Sequence, residues 1–241
     1  MSEPLEDLEE TVRKSDQDRW LASRFIADPQ ARADVIALYA FDHVLARVPV
    51  RTSEPLMGEI RLTWWSEALD EIYAGGAVRG HPVSLALAEA VHRRTLDRAP
   101  LDDLIAARMG DLDAQPFADQ AETLDYADRT SGALMQAAAQ ALGAQAGFAP
   151  ARMAGRAYGL SQMAHRRAIG GQTRLPDALT ADRLRMLVDE ALKAADLKAL
   201  PLPAFPAAAY ACLAQRSARG AHMTVLEKQL RLLWATAMGS I

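Results

Sequence analysis

Apolar side chains recur every three or four residues along most of the chain, which is the spacing of one face of an α-helix. Ala33, Ile36, Ala37 and Ala40 show it most clearly. Strict alternation of apolar and polar residues, the mark of a half-buried strand, is almost absent. Helices are predicted to begin near residues 16, 30, 53, 82, 100, 121, 150, 181 and 223, with another after residue 206. The pattern therefore predicts an all-α fold.

Capping residues, prolines and glycines set the expected helix ends. Ser15 or Asp16 can cap the first helix, and the second is expected to end just before Pro49. The third helix is expected to open at Ser53-Glu54-Pro55 and to stop at Gly75. A long sixth helix is expected over residues 121–142.

One domain accounts for the whole pattern. The proline-rich stretch 201–206 is the nearest thing to a linker, but only about 35 residues follow it, fewer than a domain normally needs. We expect a single helical domain over residues 16–241. The acidic, polar residues 1–15 are expected to form a flexible N-terminal segment.

Composition narrows the classes of function. The chain has 241 residues, of which 50% are hydrophobic and 24% charged, as in an ordinary globular protein. A net charge of −4 predicts no nucleic-acid partner, and the single Cys212 excludes an internal disulfide. Neither a signal peptide nor a long apolar run is recognisable, so the expected location is the cytoplasm of a bacterium.

Common catalytic motifs are missing from the sequence. It contains no glycine-rich phosphate loop, no H-E-x-x-H and no nucleophile elbow. The five histidines are scattered, with none four residues from another. The sequence therefore predicts no catalytic residue, no metal site and no cofactor.

A cationic segment stands out in this net acidic chain. Between Asp128 and Asp177 there is no Asp or Glu, but there are six arginines: Arg129, Arg152, Arg156, Arg166, Arg167 and Arg174. They can be exposed residues on helix surfaces. Alternatively, Arg166, Arg167 and Arg174 line a site for an anion, since adjacent guanidinium groups are stabilised by a phosphate or carboxylate between them. The sequence leaves both interpretations open.

Several short stretches, taken in order, resemble the squalene/phytoene synthase family over roughly residues 18–180. They are Trp20-Leu21-Ala22-Ser23-Arg24-Phe25, Leu38-Tyr39-Ala40-Phe41, Arg61-Leu62-Thr63-Trp64-Trp65, Tyr126-Ala127-Asp128-Arg129-Thr130-Ser131-Gly132, and residues 159–167 with Leu175-Pro176. The resemblance implies a single-domain helical bundle of the trans-isoprenyl diphosphate synthase type. Such enzymes join prenyl diphosphates, using Mg²⁺ held by two aspartate-rich motifs.

Both aspartate-rich motifs are missing by this comparison. His43 stands at the arginine position of the first motif, and Ala46, Arg47 and Val50 stand where its aspartates are expected. Residues 168–171 (Ala-Ile-Gly-Gly) replace the acids of the second motif. Asp42 is the one acid near the first motif, and we expect it to project from a different helix face than positions 46 and 50. Without carboxylates, Mg²⁺ has no ligands.

These losses are similar to those in the branch of the superfamily that includes a mitochondrial assembly factor for respiratory complex I. The first hypothesis is therefore a non-catalytic binding or assembly factor whose partner is a respiratory-complex subunit, or whose ligand is an anionic lipid or isoprenoid. The cavity that the resemblance implies would be lined by the candidate ligand-binding residues Arg24, Tyr39, His43, Arg47, Asp111, Arg166, Arg167 and Arg174.

Two further hypotheses stay open. The first is an enzyme that acts on a prenyl diphosphate and uses arginines in place of metal. The second is peripheral contact with a membrane through the C-terminal helix, where Val225, Leu226, Leu230, Leu233 and Trp234 share one side. A terminal helix that packs on the core gives the same sequence pattern.

Overall fold

A computed structural model describes residues 3–51, 54–113, 115–145 and 147–241, and no strand occurs within those ranges. The α-helices are α1 (Glu3–Ser15), α2 (Gln17–Ser23), α3 (Pro29–Arg51), α4 (Pro55–Ala74), α5 (Pro82–Arg94), α6 (Ala99–Gly110), α7 (Gln120–Ala127), α8 (Ala133–Ala141), α9 (Ala149–Ala168), α10 (Ala181–Ala194), α11 (Pro206–Ala209), α12 (Ala214–Ala218) and α13 (Val225–Met238). A π-helical turn (Asp128–Gly132) joins α7 to α8, and 3₁₀ turns occupy Leu197–Ala199, Leu202–Ala204 and Tyr210–Leu213. The predicted all-α fold is confirmed.

The local signals explain most helix ends. The Asp16 side chain accepts a hydrogen bond from the Arg19 amide and so caps α2, while Gly75, at φ +68°, ends α4. The predicted end of α3 before Pro49 is wrong, because the helix continues to Arg51. Pro49 cannot donate to the carbonyl of Leu45, yet the two residues that follow it keep the helical conformation. Ser53, the predicted start of the third helix, lies outside the described residues.

The predicted helix over residues 121–142 is interrupted by the π-helical turn, and α9 crosses there at very short range. A Cβ atom placed on Gly155 would lie 2.3 Å from the Ser131 carbonyl oxygen and 2.7 Å from the Gly132 Cα. A side chain of any size is therefore excluded at residue 155. The contact fixes α9 beside the turn and so sets the position of the side chains further along α9.

Helix α8 lies at the centre of the core, where its alanines let neighbouring helices approach closely. Residues Ala133 to Ala139 are almost completely buried, and α3, α6, α9 and α11 pack around them. Trp65 on α4 is buried and Trp64 is half-buried. Alanine favours helix and adds little bulk, so this composition suits a tightly packed bundle.

Residues Glu3–Ser15, expected to be a flexible segment, form helix α1 in the structure. Leu8 and Val12, four residues apart, are both buried, and α1 packs on α3. Apolar side chains on one face attach this otherwise polar helix to the core. Residues 1 and 2 lie outside the described part, and the domain boundary at residue 16 stays a prediction. Among the described helices, none has the length and apolar character that crossing a membrane requires.

Candidate functional site

A cavity of about 360 Å³ opens between α2, α3 and α9. Its walls are built from regular helix spacings, because Tyr39, Asp42, His43 and Ala46 share one face of α3 and Tyr158, Gln162 and Arg166 share one face of α9. The lining residues are Ser15, Asp16, Gln17, Asp18, Arg19, Tyr39, Asp42, His43, Ala46, Arg108, Ser131, Tyr158, Gln162, Arg166 and Lys228. The lining is thus rich in charged and hydrogen-bonding groups.

Arg19 is the central charge of the site. This buried side chain contacts two carboxylates, and its Nη1 lies 2.9 Å from Asp16 Oδ2 and 2.9 Å from Asp42 Oδ2. Burial disfavours the charged form of both acids, and it raises the pKa of Asp16. For Asp42 the positive charges of Arg108 and Arg19 outweigh burial and lower its pKa. Asp42 therefore carries the stable negative charge of this group.

Three tyrosine rings surround the Arg19 guanidinium. Its central carbon lies 5.8 Å from the ring centre of Tyr39, 5.6 Å from that of Tyr158 and 5.7 Å from that of Tyr210. Each ring face attracts the cation, and the rings of Tyr158 and Tyr210 meet edge to face at 4.7 Å. Tyr39 and Tyr158 also line the cavity, whereas Tyr210 is not part of its lining.

Arg108 connects the cavity residue Asp42 to Asp111, a carboxylate outside the cavity lining. Its Nη2 donates to Asp42 Oδ1 at 3.0 Å and its Nη1 donates to Asp111 Oδ2 at 3.1 Å. Asp111 also accepts from the Tyr126 hydroxyl at 2.9 Å and from Arg174 Nη1 at 3.0 Å. Burial raises the pKa of Tyr126 to about 12, so the phenol stays protonated and keeps donating. The network ties α6 to the loop that follows α9.

The third carboxylate of the cavity, Asp18, is held by two partners. The Tyr158 hydroxyl donates to Asp18 Oδ2 at 3.1 Å, and Lys228 Nζ lies 2.7 Å from Asp18 Oδ1. Because Lys228 belongs to α13, this ion pair attaches the last helix to the cavity rim. All three cavity carboxylates are therefore neutralised by cations of the same chain.

The residues present do not fit a magnesium site. Hydrated Mg²⁺ needs carboxylate oxygens that are free to accept its bonds, whereas Asp42 and Asp18 already use both oxygens in contacts with protein cations or hydroxyls. In the part of the chain that the structure describes, no group of three or more His, Cys, Asp or Glu side chains has a metal-binding arrangement. The carboxylates of this cavity therefore serve the protein's own cations.

Five of the eight candidate ligand-binding residues lie in or beside this site. Tyr39, His43 and Arg166 line the cavity. Asp111 and Arg174 pair with each other behind it and reach it through Arg108. Burial lowers the pKa of His43, so its imidazole is neutral at pH 7 and offers hydrogen bonds without a charge.

The other three candidates lie away from the cavity lining. Arg24 is exposed and pairs with Glu9 at 2.6 Å, and Arg47 is exposed at the far end of α3. Arg167 donates to the carbonyl oxygen of Leu179. Neighbouring helix positions point about 100° apart, which separates Arg167 from Arg166. Of Arg166, Arg167 and Arg174, only Arg166 is among the cavity-lining residues that the structure describes, and the anion site stays a prediction.

The cationic segment between Asp128 and Asp177 is neutralised mostly by acids that lie outside it. Its arginines pair with carboxylates on other turns and helices: Arg129 with Asp125, Arg152 with Asp103, Arg156 with Asp128 and Arg174 with Asp111. Arg166 differs, because its side chain has no ion pair or hydrogen bond to any residue that the structure describes. Arg166 is therefore the arginine of this segment that lines the cavity without a carboxylate partner among the described residues.

The expectation that Asp42 and position 46 project from different helix faces is wrong. Both residues line the cavity, because a separation of four residues returns to the same side of a helix. Sequence reasoning also missed Arg19, Arg108 and Lys228. Arg19 and Arg108 each stand three residues from an acid, Asp16 and Asp111, which was the one local signal available.

Comparison with known families agrees with this architecture. The model of the squalene/phytoene synthase family matches residues 12–172. The chain belongs to this family. Among solved structures, a dehydrosqualene synthase in complex with ligand superposes with a TM-score of 0.79 at 15% identity, covering 99% of this chain and 96% of that one. Squalene synthase HpnC from Alicyclobacillus acidocaldarius gives 0.64 at 16%, covering 98% and 94%. These similarities show the fold, the predicted trans-isoprenyl diphosphate synthase bundle.

The curated relatives carry a different description. The chain is 30% identical over 134 residues to NADH dehydrogenase (ubiquinone) complex I, assembly factor 6, of Homo sapiens, and equally to that of Bos taurus. A homolog in Dictyostelium discoideum is 25% identical over 134 residues. The human and bovine alignments cover 56% of this chain and 40% of each relative, so the chain matches about two fifths of their length.

Proposed function

We propose that this chain is a non-catalytic member of the squalene/phytoene synthase family that acts as a binding factor in the assembly of a respiratory complex. The single observation that carries the proposal is the internal neutralisation of the cavity. Asp16 and Asp42 pair with Arg19, Asp42 pairs also with Arg108, and Asp18 pairs with Lys228.

This charge arrangement opposes metal-dependent prenyl transfer. A leaving diphosphate carries several negative charges, which Mg²⁺ held by carboxylates neutralises. In this chain Ala46, Arg47 and Val50 stand where the first motif would have aspartates, and the nearby Asp42 is already engaged by two arginines. A metal would have to displace both buried guanidinium groups, at the cost of leaving them unpaired.

The names of the curated relatives indicate which kind of function to propose. Those with 30% identity bear the name of an assembly factor for complex I, and their alignment with this chain includes more than half of its residues. A subunit of the respiratory NADH dehydrogenase is accordingly the proposed partner. The family fold would then serve as a scaffold that binds the partner during assembly.

Deletion of the encoding gene in its native host tests this proposal. We expect less assembled NADH dehydrogenase on native gels of the membranes and lower NADH-dependent quinone reduction, with succinate-dependent reduction as the internal control. Re-expression of the wild-type chain is expected to restore both readouts. Normal complex levels in the deletion strain would sink the assembly role, and Mg²⁺-dependent release of diphosphate from farnesyl diphosphate by the purified chain would favour the enzymatic alternative.

A specific observation favours a second function, the binding of an anionic ligand without metal. Arg166 lines the cavity without an ion pair or hydrogen bond to any described residue, and Gln162 and the neutral His43 line the same cavity. A phosphate or carboxylate there would receive charge-assisted hydrogen bonds from Arg166. Most lining residues are charged or hydrogen-bonding, so a headgroup fits the lining better than an apolar tail does.

Calorimetric titration with farnesyl diphosphate tests this second function. Binding is expected to persist in EDTA, to weaken with salt and to fall at least about tenfold in Arg166→Glu. Arg129→Glu is the matched control, since Arg129 is an exposed arginine outside the cavity lining, and it is expected to bind like the wild type. Loss of binding in EDTA would instead indicate a metal-bridged site.

A further inference from the structure

Helix α13 presents an unusually apolar surface to solvent. Leu226 is 64% exposed, Leu230 58% and Trp234 68%. Leu233 and Met238 are exposed on the same helix. Only Leu232 and Ala235 of α13 are buried against the rest of the described chain. The outward side of this helix is therefore more apolar than the side that packs on the core.

The exposed side chains form one continuous stripe, which we call the α13 stripe: Leu226, Leu230, Leu233, Trp234 and Met238. Separations of three, four, seven and eight residues place them on one side of a helix. One acid, Glu227, lies on the same side, three residues before Leu230 and seven before Trp234. It is neutralised by Arg216 at 2.8 Å and Arg231 at 3.1 Å.

Contacts at its first turns hold α13 in place, so the stripe is a fixed feature of the surface. Lys228 pairs with the buried Asp18 at 2.7 Å, and the Thr224 hydroxyl caps the helix by accepting from the Glu227 amide. Among the polar residues of α13, Lys228 thus reaches inward, while Gln229 and Arg231 are exposed. The α13 stripe therefore faces solvent, and it is not covered by any residue that the structure describes.

Charge singles out the kind of surface that would cover the stripe. Residues 197–241 contain one acid, Glu227, and five basic residues: Lys198, Arg216, Arg219, Lys228 and Arg231. Five positive charges and one negative charge give this segment a net charge of +4, in a chain whose total is −4. Arg216 and Arg231 flank the stripe and remain more than two fifths exposed. An apolar stripe with a basic border and an exposed tryptophan is complementary to an anionic lipid surface.

We propose that α13 docks on the surface of a bilayer that contains anionic phospholipids. The stripe enters the boundary between headgroups and acyl chains, Trp234 lies at headgroup depth, and Arg216 and Arg231 contact lipid phosphates. A second copy of the chain fits less well, because it would bring the same positively charged segment against itself. This docking is independent of the cavity and of the proposed assembly role.

Co-sedimentation of the purified full chain with lipid vesicles tests the proposal. Vesicles of phosphatidylglycerol and phosphatidylcholine in equal parts are expected to bind the chain, and vesicles of phosphatidylcholine alone to bind it at least about tenfold more weakly. Leu230→Glu with Leu233→Glu is expected to lower binding to the anionic vesicles at least about tenfold. Both side chains are exposed, so the fold is expected to survive, as circular dichroism and the unchanged Tm would verify.

Leu56→Glu with Ile60→Glu is the matched control, because it adds the same two charges and both residues are exposed on α4, Leu56 by 63% and Ile60 by 54%. This control is expected to bind vesicles like the wild type. Equal loss in the control and in the α13 variant would overturn the assignment to the stripe, as would unchanged binding in the α13 variant. A dimer in vesicle-free solution that the α13 variant abolishes would overturn the lipid surface in favour of a second copy.

Discussion

Arg108 on α6 donates a hydrogen bond of 3.0 Å to Asp42 on α3, and both side chains are buried in the cavity wall. Asp42 lines the cavity and also contacts Arg19. Both of its carboxylate oxygens thus bind guanidinium groups of the protein itself. The ion pairs therefore contribute to the stability of the fold at the cavity wall.

Replacement of Asp42 by asparagine is expected to lower the free energy of unfolding by about 3 kcal/mol at pH 7, because two buried arginines lose their shared anion. The pKa of Asp42 is lowered in the folded protein. Its stabilisation is thus present above the unfolded-state pKa of about 4 and disappears as pH falls through the folded-state value. Urea unfolding at neutral and at acidic pH measures the difference in unfolding free energy between wild type and variant. We expect this difference to be smaller in acid. A difference that does not change with pH would contradict the assignment.

Asp16→Asn is the comparison, because Asp16 also contacts Arg19 but has a raised pKa caused by burial. The pH dependence of stability is therefore opposite to that of Asp42. Protonation of Asp16 favours the folded state, and this stabilisation is lost as pH rises from the unfolded-state pKa through the folded-state value. Asparagine keeps the cap of α2. Less than about 1 kcal/mol of destabilisation is expected at pH 7. A loss as large as that of the Asp42 variant would show that Arg19 depends on both acids equally.

The close crossing of α9 and the π-helical turn predicts that Gly155→Ala is strongly destabilising. The new Cβ would meet the backbone of Ser131 at 2.3 Å, and backbone cannot give way as a side chain can. We expect a loss of about 2 to 4 kcal/mol in chemical denaturation. Gly110→Ala is the control, since nothing lies within 4 Å of its Cβ position. It is expected to be neutral or slightly stabilising, and equal effects in the two variants would refute the crossing.

The helices could be predicted from the sequence because their signals are local. Apolar spacing, Asp16 as a cap and Gly75 as a stop act within a few residues, and the structure has helices there. Helix α1 escapes prediction because most of its residues are charged or polar, a composition that a flexible terminal segment shares. The extension of α3 past Pro49 escapes it because proline is normally a signal that a helix ends, and here the helix continues for two more residues.

The cavity is less predictable, because its charge pairs connect residues that are far apart in sequence. Arg19 and Asp42 are 23 residues apart, and Arg108 and Asp42 are 66 residues apart. The spacing of apolar residues along the sequence does not predict such pairs. The exposure of the α13 stripe is equally hidden, since an apolar helix face has the same sequence pattern whether it packs on the core or faces solvent.

Arg174 is expected to hold the loop after α9 against residues 115–117. It donates to Asp111 at 3.0 Å and to the Gln115 carbonyl at 2.8 Å, and its guanidinium lies 4.5 Å from the Phe117 ring centre. In Arg174→Gln the amide of Phe117, which donates to the Arg174 carbonyl, should exchange with deuterium about tenfold faster. Arg166→Gln serves as control, because Arg166 has no such contacts among the described residues. Unchanged exchange in the Arg174 variant would show that the backbone bond alone holds the loop.

Cys212 tests the packing beneath α13 without any mutation. Burial raises the pKa of this thiol to about 12, and the chain has no other cysteine to confuse the signal. Only the thiolate is nucleophilic, so at pH 8 the folded protein should react with Ellman's reagent at least about a hundredfold more slowly than an ordinary thiol. Addition of guanidinium chloride should restore the normal rate, because unfolding returns the thiol to water. A native rate close to that of glutathione would mean that the 3₁₀ turn carrying Cys212 is open to solvent.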